Sequence, residues 1–293
     1  MIAAGLRRAL RLPLLVALLF GGLFTVLLLF PLGGERFRRA AIRHWSRMLV
    51  AACGVHAQPL AADGVPPLTR LAPGSFVVAN HISWLDIFVI HAQSPCSFVA
   101  KDEIRGWPLI GTLVARTGTL FIERGKRHAV HRMIEHIERR LLAAGRVAVF
   151  PEGTTSDGDR LLPFHANLLE AALRAGAPVV PVGLRYVDAS GARAQAIEFI
   201  GSTTFVQSLW RITGAAGLRC QVHALAPIAI GEGMRRHQLA QQARVELARK
   251  LGLPLDDRIP DNLRAVLGKP ALSPDLAAEP AGTQAAGSVD PRA

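Results

Sequence analysis

The chain has 293 residues, half of them hydrophobic, which is enough for a substantial core in one large domain or two small ones. Its formal net charge is +12, from 34 Lys and Arg against 22 Asp and Glu, and points to nucleic acid, an anionic membrane surface or acidic substrates. A single Tyr, with no aromatics interleaved among Arg and Lys, weighs against nucleic acid, and three widely spaced cysteines (Cys53, Cys96, Cys220) weigh against a disulfide framework or a zinc site and fit a reducing, cytosol-facing environment.

In chain order, residues 12–34 come first as an element and carry no charge. At about 1.5 Å per helical residue they could cross a hydrocarbon core of ~30 Å. Arg7, Arg8 and Arg11 precede this run, and Arg36, Arg38, Arg39 and Arg43 follow it. That near balance fixes no orientation. A cleaved signal peptide fits less well, because the run is long and no clear small-x-small site follows. Pro13, Gly21, Gly22 and Pro31 also allow a bent helix that dips into one leaflet. Residues 36–53 read as a second helix. Phe37, Ala41, Trp45, Met48 and Leu49 gather near one face and Arg36, Arg39, Arg43 and Arg47 on another, the pattern of a helix in a membrane interface. A surface helix packed on a domain is the plainer alternative.

From residue 75 onward short apolar runs alternate with helical stretches. Strands are expected at 76–79, 97–100, 119–122, 147–150, 179–184, 196–200 and 221–226. Helices are expected at 83–91, 109–116, 127–144, 165–175 and 235–251. Strands separated by helices indicate an α/β domain. The expected organisation is membrane-anchoring helices over 1–56, one domain over 57–255 and an extension over 256–293. Its last part, 270–293, is rich in Ala, Pro, Gly and Ser and reads as a disordered tail.

Two strings carry chemistry. Asn80-His81-Ile82-Ser83-Trp84-Leu85-Asp86 sets a His and an Asp five positions apart. Five positions turn a helix by about 500°, so the two would not share a helical face. Contact requires His81 in a loop and Asp86 in the first turn of a helix, and Ser83-x-x-Asp86 has the spacing of a capping box. A His held by a carboxylate is a general base suited to an alcohol. On this string alone, a helix-capping Asp86 beside an ordinary loop histidine weighs as much. The second string, Phe150-Pro151-Glu152-Gly153-Thr154, follows an apolar strand and puts a carboxylate on a Pro/Gly turn. It could accept hydrogen bonds from a polyol, although an exposed Glu on a turn is the commoner case. Arg124, at the end of the 119–122 strand, and Lys101, after 97–100, could each bind a phosphate or sit on a solvated turn. His128, His131 and Glu135 fall at helical spacing, but Arg127, Arg132 and Arg139 beside them would repel a cation. A Gly-rich phosphate loop, a G-x-S-x-G elbow and a CxxC pair are all missing, which argues against a nucleotide enzyme, an α/β-hydrolase and a redox protein.

Taken in order, Asn80-His81-x4-Asp86, Gly118-x-x-Phe121-Ile122-Glu123-Arg124, Phe150-Pro151-Glu152-Gly153-Thr154 and Val179-Val180-Pro181-Val182 resemble the glycerolipid acyltransferase family, in its 1-acyl-sn-glycerol-3-phosphate acyltransferase type. The resemblance covers roughly residues 40–230, and the first and third strings are the specific ones. It implies a single α/β domain with a central mixed sheet flanked by helices, plus N-terminal membrane helices. It implies transfer of an acyl group from an acyl-CoA or acyl-carrier-protein thioester to a lysolipid hydroxyl, with no metal or organic cofactor. By the family's roles His81 is the base and Asp86 orients it. Lys101 and Arg124 bind the acceptor's phosphate; Glu152, Gly153 and Thr154 position the acceptor; Pro181 shapes a pocket. The implied partner is the lipid bilayer, at a bacterial-type inner membrane with the active domain facing the cytoplasm. One departure stands out: many members carry Arg where this chain has Thr155. The stretch 154–158 looks more like members that act on other lysolipids, lyso-ornithine lipid among them. Lysophosphatidate remains the first expectation for the acceptor. The competing classes are a non-catalytic membrane-anchored lipid-binding protein and a lipid hydrolase.

Overall fold

The computed structural model describes residues 2–61, 64–123 and 127–256. Short apolar, β-branched runs form a seven-stranded sheet: β1 Val55–Ala61, β2 Phe76–Ala79, β3 Ser97–Lys101, β4 Leu120–Ile122, β5 Val147–Val149, β6 Val179–Val187 and β7 Leu218–Ala224. The strand order is β1-β7-β6-β2-β5-β3-β4. Strands β6, β2, β5, β3 and β4 run parallel; β7 is antiparallel to β6, and β1 is parallel to β7. The sheet is therefore mixed, as expected. Eight α-helices accompany it among the described residues: α1 Ile2–Phe24, α2 Glu35–Ala52, α3 Leu85–Gln93, α4 Ile110–Arg116, α5 Arg127–Leu142, α6 Glu170–Ala175, α7 Phe205–Gly214 and α8 Arg236–Leu251.

Strand β2 is buried at every residue, as a short unbroken apolar run requires when both faces are covered. Alternation sends Val77 and Ala79 into the core shared with α2 and α3. Phe76 and Val78 enter the core shared with α5, α6 and α8. The central parallel strands therefore lie between two helical layers, and their carboxyl ends meet at one edge, where sites collect in such folds.

Three expectations change. Residues 196–200 are not a strand. Both edges of β6 are already taken, by β2 and β7. The segment instead makes a tight turn at Gln195–Ile197, and Phe199 N–H then donates to Ile82 O at 3.1 Å while Thr155 Oγ1 donates to Phe199 O. Strand β1 was not anticipated, because Pro59 interrupts its pattern. It is an edge strand that pairs only with β7, where a missing N–H is tolerated. Helix α7 was not anticipated either, although Thr204 and Gln207 form a complete capping box at its start.

The first helix continues through a wide turn over Thr25–Leu29. Together they make 28 residues with a mean hydropathy of 2.6 in the most apolar window and 17% of that window buried, enough by length and composition to cross a membrane. Its first turns are nevertheless tied to the domain. Arg7 donates twice to Gly214 O, Arg8 donates to Trp210 O, and Arg11 donates to Thr213 O and Ala215 O. These carbonyls lie in and just after the last turns of α7, where positive charge is favoured. Farther along, Trp45 Nε1 of α2 donates to Leu18 O at 2.7 Å. Leu6, Leu10, Leu14, Phe20 and Phe24 stay exposed.

Candidate active site

Strand β2 ends in a side chain that imitates a strand partner. Asn80 Nδ2 donates to Leu184 O at 2.9 Å and Asn80 Oδ1 accepts from Leu184 N–H at 2.7 Å, both on β6. This pins the strand's end and sends His81 into the loop. Asp86 sits in the first turn of α3, fully buried, and both of its oxygens are engaged. Oδ2 accepts from Ile82 N–H at 2.7 Å and Ser83 N–H at 2.9 Å, and lies 2.8 Å from His81 Nδ1; Oδ1 accepts from the Tyr186 hydroxyl at 2.7 Å. The loop-to-first-turn contact required by the five-residue spacing is present. The capping box is only half formed. Asp86 reaches back to Ser83 N–H, but Ser83 Oγ has no hydrogen-bond partner among the described residues, and the helix opens at Leu85 rather than at residue 83.

The Phe150-Pro151-Glu152 string closes over the same loop. The imidazole of His81 stacks on Phe150 with centroids 3.9 Å apart and planes 8° from parallel. Glu152 Oε1 accepts from His81 N–H at 2.8 Å, and Oε2 accepts from Leu162 N–H at 3.1 Å. His81 O accepts from Ser156 N–H at 2.8 Å. Glu152 is only 1% exposed. Burial pushes its carboxyl up to about 8, against the lowering effect of the His81 and Leu162 N–H groups; the Asp86 charge pushes the same way as burial. Glu152, expected to position the acceptor, has both oxygens on backbone N–H groups and braces the loop that carries His81. Gly153 takes the left-handed conformation, φ +69°, that this turn demands, and Thr154 follows it, half-buried.

Lys101 is the exposed last residue of β3 and pairs in register with Ile122 of β4, so the strand that leads toward residue 124 ends beside it. Arg124 itself lies outside the described residues. Pro181 is buried within β6 opposite Val78, before the turn that carries His81, and does not line the cavity described next. Tyr186 was missed by sequence reasoning. It is the only tyrosine in the chain and lies on a buried strand, where a phenol needs a partner, and that was the available signal. His131 and Glu135 form an exposed pair at 3.3 Å, and no group of three or more potential metal ligands gathers among the described residues.

A cavity of about 360 Å³ opens between α1, α2, α3 and α4, with Leu18, Val26, Trp45, Phe88 and Phe98 in its wall. Phe98 stacks on Phe150 at 5.7 Å and 22°, and Phe150 stacks on His81, so a row of rings joins the apolar cavity to the imidazole. Asp86 offers only acceptors toward His81 Nδ1, which assigns the ring proton to that nitrogen and leaves Nε2 free to accept another.

Residues 65–185 match the family model described as Acyltransferase. The chain is 36% identical over 200 residues to the 1-acyl-sn-glycerol-3-phosphate acyltransferase of Neisseria gonorrhoeae, covering 68% of this chain and 71% of that one. It is 40% identical over 167 residues to the lyso-ornithine lipid O-acyltransferase of Pseudomonas aeruginosa, covering 57% and 63%. The crystal structure of the 1-acyl-sn-glycerophosphate acyltransferase from Thermotoga maritima superposes with a TM-score of 0.59 over 84% of this chain and 96% of that one; at 22% identity it speaks for the fold alone. The family model and the curated relatives agree on the class, an acyltransferase. The chain belongs to the glycerolipid acyltransferase family, among members of the lysophosphatidate and lyso-ornithine lipid type.

Proposed function

We propose that this enzyme moves a fatty acyl group from an acyl-CoA or acyl-carrier-protein thioester to the free hydroxyl of a membrane lysolipid, with 1-acyl-sn-glycerol-3-phosphate as the acceptor and phosphatidate as the product. The observation that carries this reading is the dyad of a loop histidine and a buried aspartate that accepts four hydrogen bonds. Asp86 holds the Nδ1–H tautomer of His81. Nε2 takes the proton of the acceptor hydroxyl as its oxygen attacks the thioester carbon. The tetrahedral oxyanion, steadied by N–H donors, collapses by breaking the carbon–sulfur bond. The thiolate leaves without an acid, and the proton on His81 passes to it or to water.

Around this centre Tyr186 and Glu152 are positioning residues, since each acts through Asp86 or the His81 backbone. The apolar cavity takes an acyl chain. Lys101 and Arg124 supply cations for the acceptor's phosphate, and the Gly153-Thr154 turn faces the acceptor's glycerol. Helices α1 and α2 seat the domain on the bilayer. The grip of Arg7, Arg8 and Arg11 on α7, with apolar residues of α1 exposed, supports a helix lying in one leaflet of the inner membrane, the site opening to the cytoplasmic side. A surplus of Arg and Lys favours the anionic lipid surface and an acidic carrier protein.

Lyso-ornithine lipid is the second reading for the acceptor. Thr155 holds Phe199 O at the position where the family resemblance leads one to expect a cation, and Asp157 and Asp159 follow it. To test both, purified protein in detergent receives a labelled acyl thioester and a panel of lysolipids, and products are read by mass spectrometry. Phosphatidate as the dominant product supports the first reading, and ornithine lipid moves the assignment to the second. No acylated lipid from any acceptor overturns the transfer.

A further inference from the structure

Of the four tryptophans, only Trp107 and Trp210 are exposed, and each belongs to a region that packs on α1. Trp210, on α7, is 54% exposed and stands one turn after Val206, which is 72% exposed. Four residues apart on a helix, the two share a face. The Arg8 guanidinium lies over the Trp210 ring, 4.2 Å from its centroid, and Gly5, Ala9, Leu12 and Pro13 of α1 complete an open, apolar groove around it. Trp107 stands at the entry to α4. It is 44% exposed, and its carbonyl accepts from Gly111 N–H at 2.8 Å. Pro108 and Leu109, which follow it, are exposed too. Leu109 is held at φ +62°, a conformation that L side chains rarely adopt. Ile110 N–H donates to Pro108 O at 2.6 Å across this kink, and a Cβ on Gly111 would collide with Arg105 O. The fold therefore keeps a strained backbone that leaves a tryptophan and a leucine in the open, which internal packing does not explain.

The exposed stripe of α1 runs between these two places. Leu6, Leu10, Phe20 and Phe24 are each more than half exposed and fall within about 80° of one another around the helix. Trp210 meets α1 at Arg8, and α4 meets it at Gly22, where a Cβ would strike Leu113. Arg8 and Gly22 are about 21 Å apart along the axis at ~1.5 Å per residue.

We propose that an anionic lipid bilayer covers this face, with α1 in its plane and both Trp107 and Trp210 at headgroup level, one near each end of the helix. The proposal rests on the reading of α1 as a helix seated in one leaflet. Tryptophan suits that depth, its ring apolar and its N–H polar. A helix standing upright would set the two rings at depths differing by about 21 Å and carry part of the polar domain into hydrocarbon. Lying flat brings them level. Neither α1 nor α7 contains an acidic residue, while Arg7, Arg8, Arg11 and Arg211 lie on them. At the other end Lys101 and Arg105 offset Asp102 and Glu103. A second copy of this chain meeting the same face would bring like charges together, whereas anionic headgroups meet opposite ones.

The full chain is moved from detergent onto vesicles of phosphatidylcholine and phosphatidylglycerol whose lipids carry a nitroxide quencher either near the headgroup or at the end of the chain. Tryptophan fluorescence is compared among the parent, Trp107→Phe and Trp210→Phe. Each variant is expected to lose a similar share of the quenching by the shallow label and little of that by the deep one. Trp107→Ala and Trp210→Ala are each expected to weaken partition onto the vesicles by about threefold to tenfold, with turnover in detergent and thermal melts at the parent's level. The docking face is overturned if the parent binds vesicles while either ring escapes the lipid label or the two rings answer to different labels. It is also overturned if the alanine variants dissolve a dimer seen by light scattering and leave partition unchanged. Vesicle binding that ignores both tryptophans removes this face and leaves the seating of α1 standing. A parent that binds no vesicles removes both.

Discussion

The loop that carries His81 and the helices that roof the cavity are built by opposite rules. In the loop, Asn80 is doubly bonded to β6, His81 is held through its N–H, its carbonyl and its ring, and Asp86 is saturated. These contacts anchor to the central strands of the sheet. On the other side, α1 is held by a few long side chains reaching carbonyls on α7 and by Trp45, and its apolar side chains are largely exposed. The proposed catalytic dyad therefore sits on a platform whose geometry is fixed by bonds already made. On the proposed reading, α1 gains from lipid the burial it lacks in the domain.

The sharpest break in this contrast is His81→Ala, which should cut turnover by roughly 10²–10⁴-fold while membrane association persists; near-native turnover would remove the proposed base. Asp86→Asn should fall in a similar range, because an amide can present a donor to Nδ1 and select the wrong tautomer; steady-state rates at fixed protein concentration check it. Tyr186→Phe removes one donor from a buried carboxylate and should lower stability by about 1.5–3 kcal/mol, read from denaturant melts, with activity reduced but not lost.

Glu152 adds a pH signature. Its folded carboxyl titrates at about 8 rather than at 4.5, so between those values the native protein holds a proton that the unfolded chain has released. Stability from this group is present below about pH 4.5 and declines as pH rises toward 8. Glu152→Gln cannot titrate, so its stability relative to the parent should improve with pH across that window in melts at stepped pH. The smallest effect belongs to the roof. Arg11→Ala should leave turnover in detergent unchanged and speed hydrogen exchange of the amides of α1, because two carbonyl contacts on α7 are lost.

How much of this was legible depended on distance along the chain. His81 and Asp86 are five residues apart, and for them to touch, helical geometry requires one in a loop and the other in a first turn. The central strands were legible for the same reason, each being a local apolar run. The role of Glu152 was not, because its partner is His81 N–H, 71 residues earlier, and they meet only because β5 lies next to β2. Tyr186 reaches Asp86 across 100 residues through the neighbouring β6. Residues 196–200 look like a strand and are not one, because whether an apolar run finds a free sheet edge is decided by strand order. Lys101 and the Gly153-Thr154 turn fall at the carboxyl edge of the sheet, while Pro181 stays inside it.

The row of rings from Phe98 through Phe150 to His81 divides the pocket into positions that can change freely and one that cannot. Gly21 lines the cavity and has nothing within 4 Å of the place where a Cβ would go, so a larger residue is accommodated there without touching His81. Gly22, next to it, has no such freedom, since a Cβ would strike Trp45 and Leu113. Phe98 is shared between the cavity wall and the stack, since it packs on Phe150, the ring on which the His81 imidazole rests. On the proposed reading, chain-length preference can therefore drift through the helical roof, one side chain at a time, while Phe98, which lines the cavity and also supports the ring under His81, is held in place by its second duty.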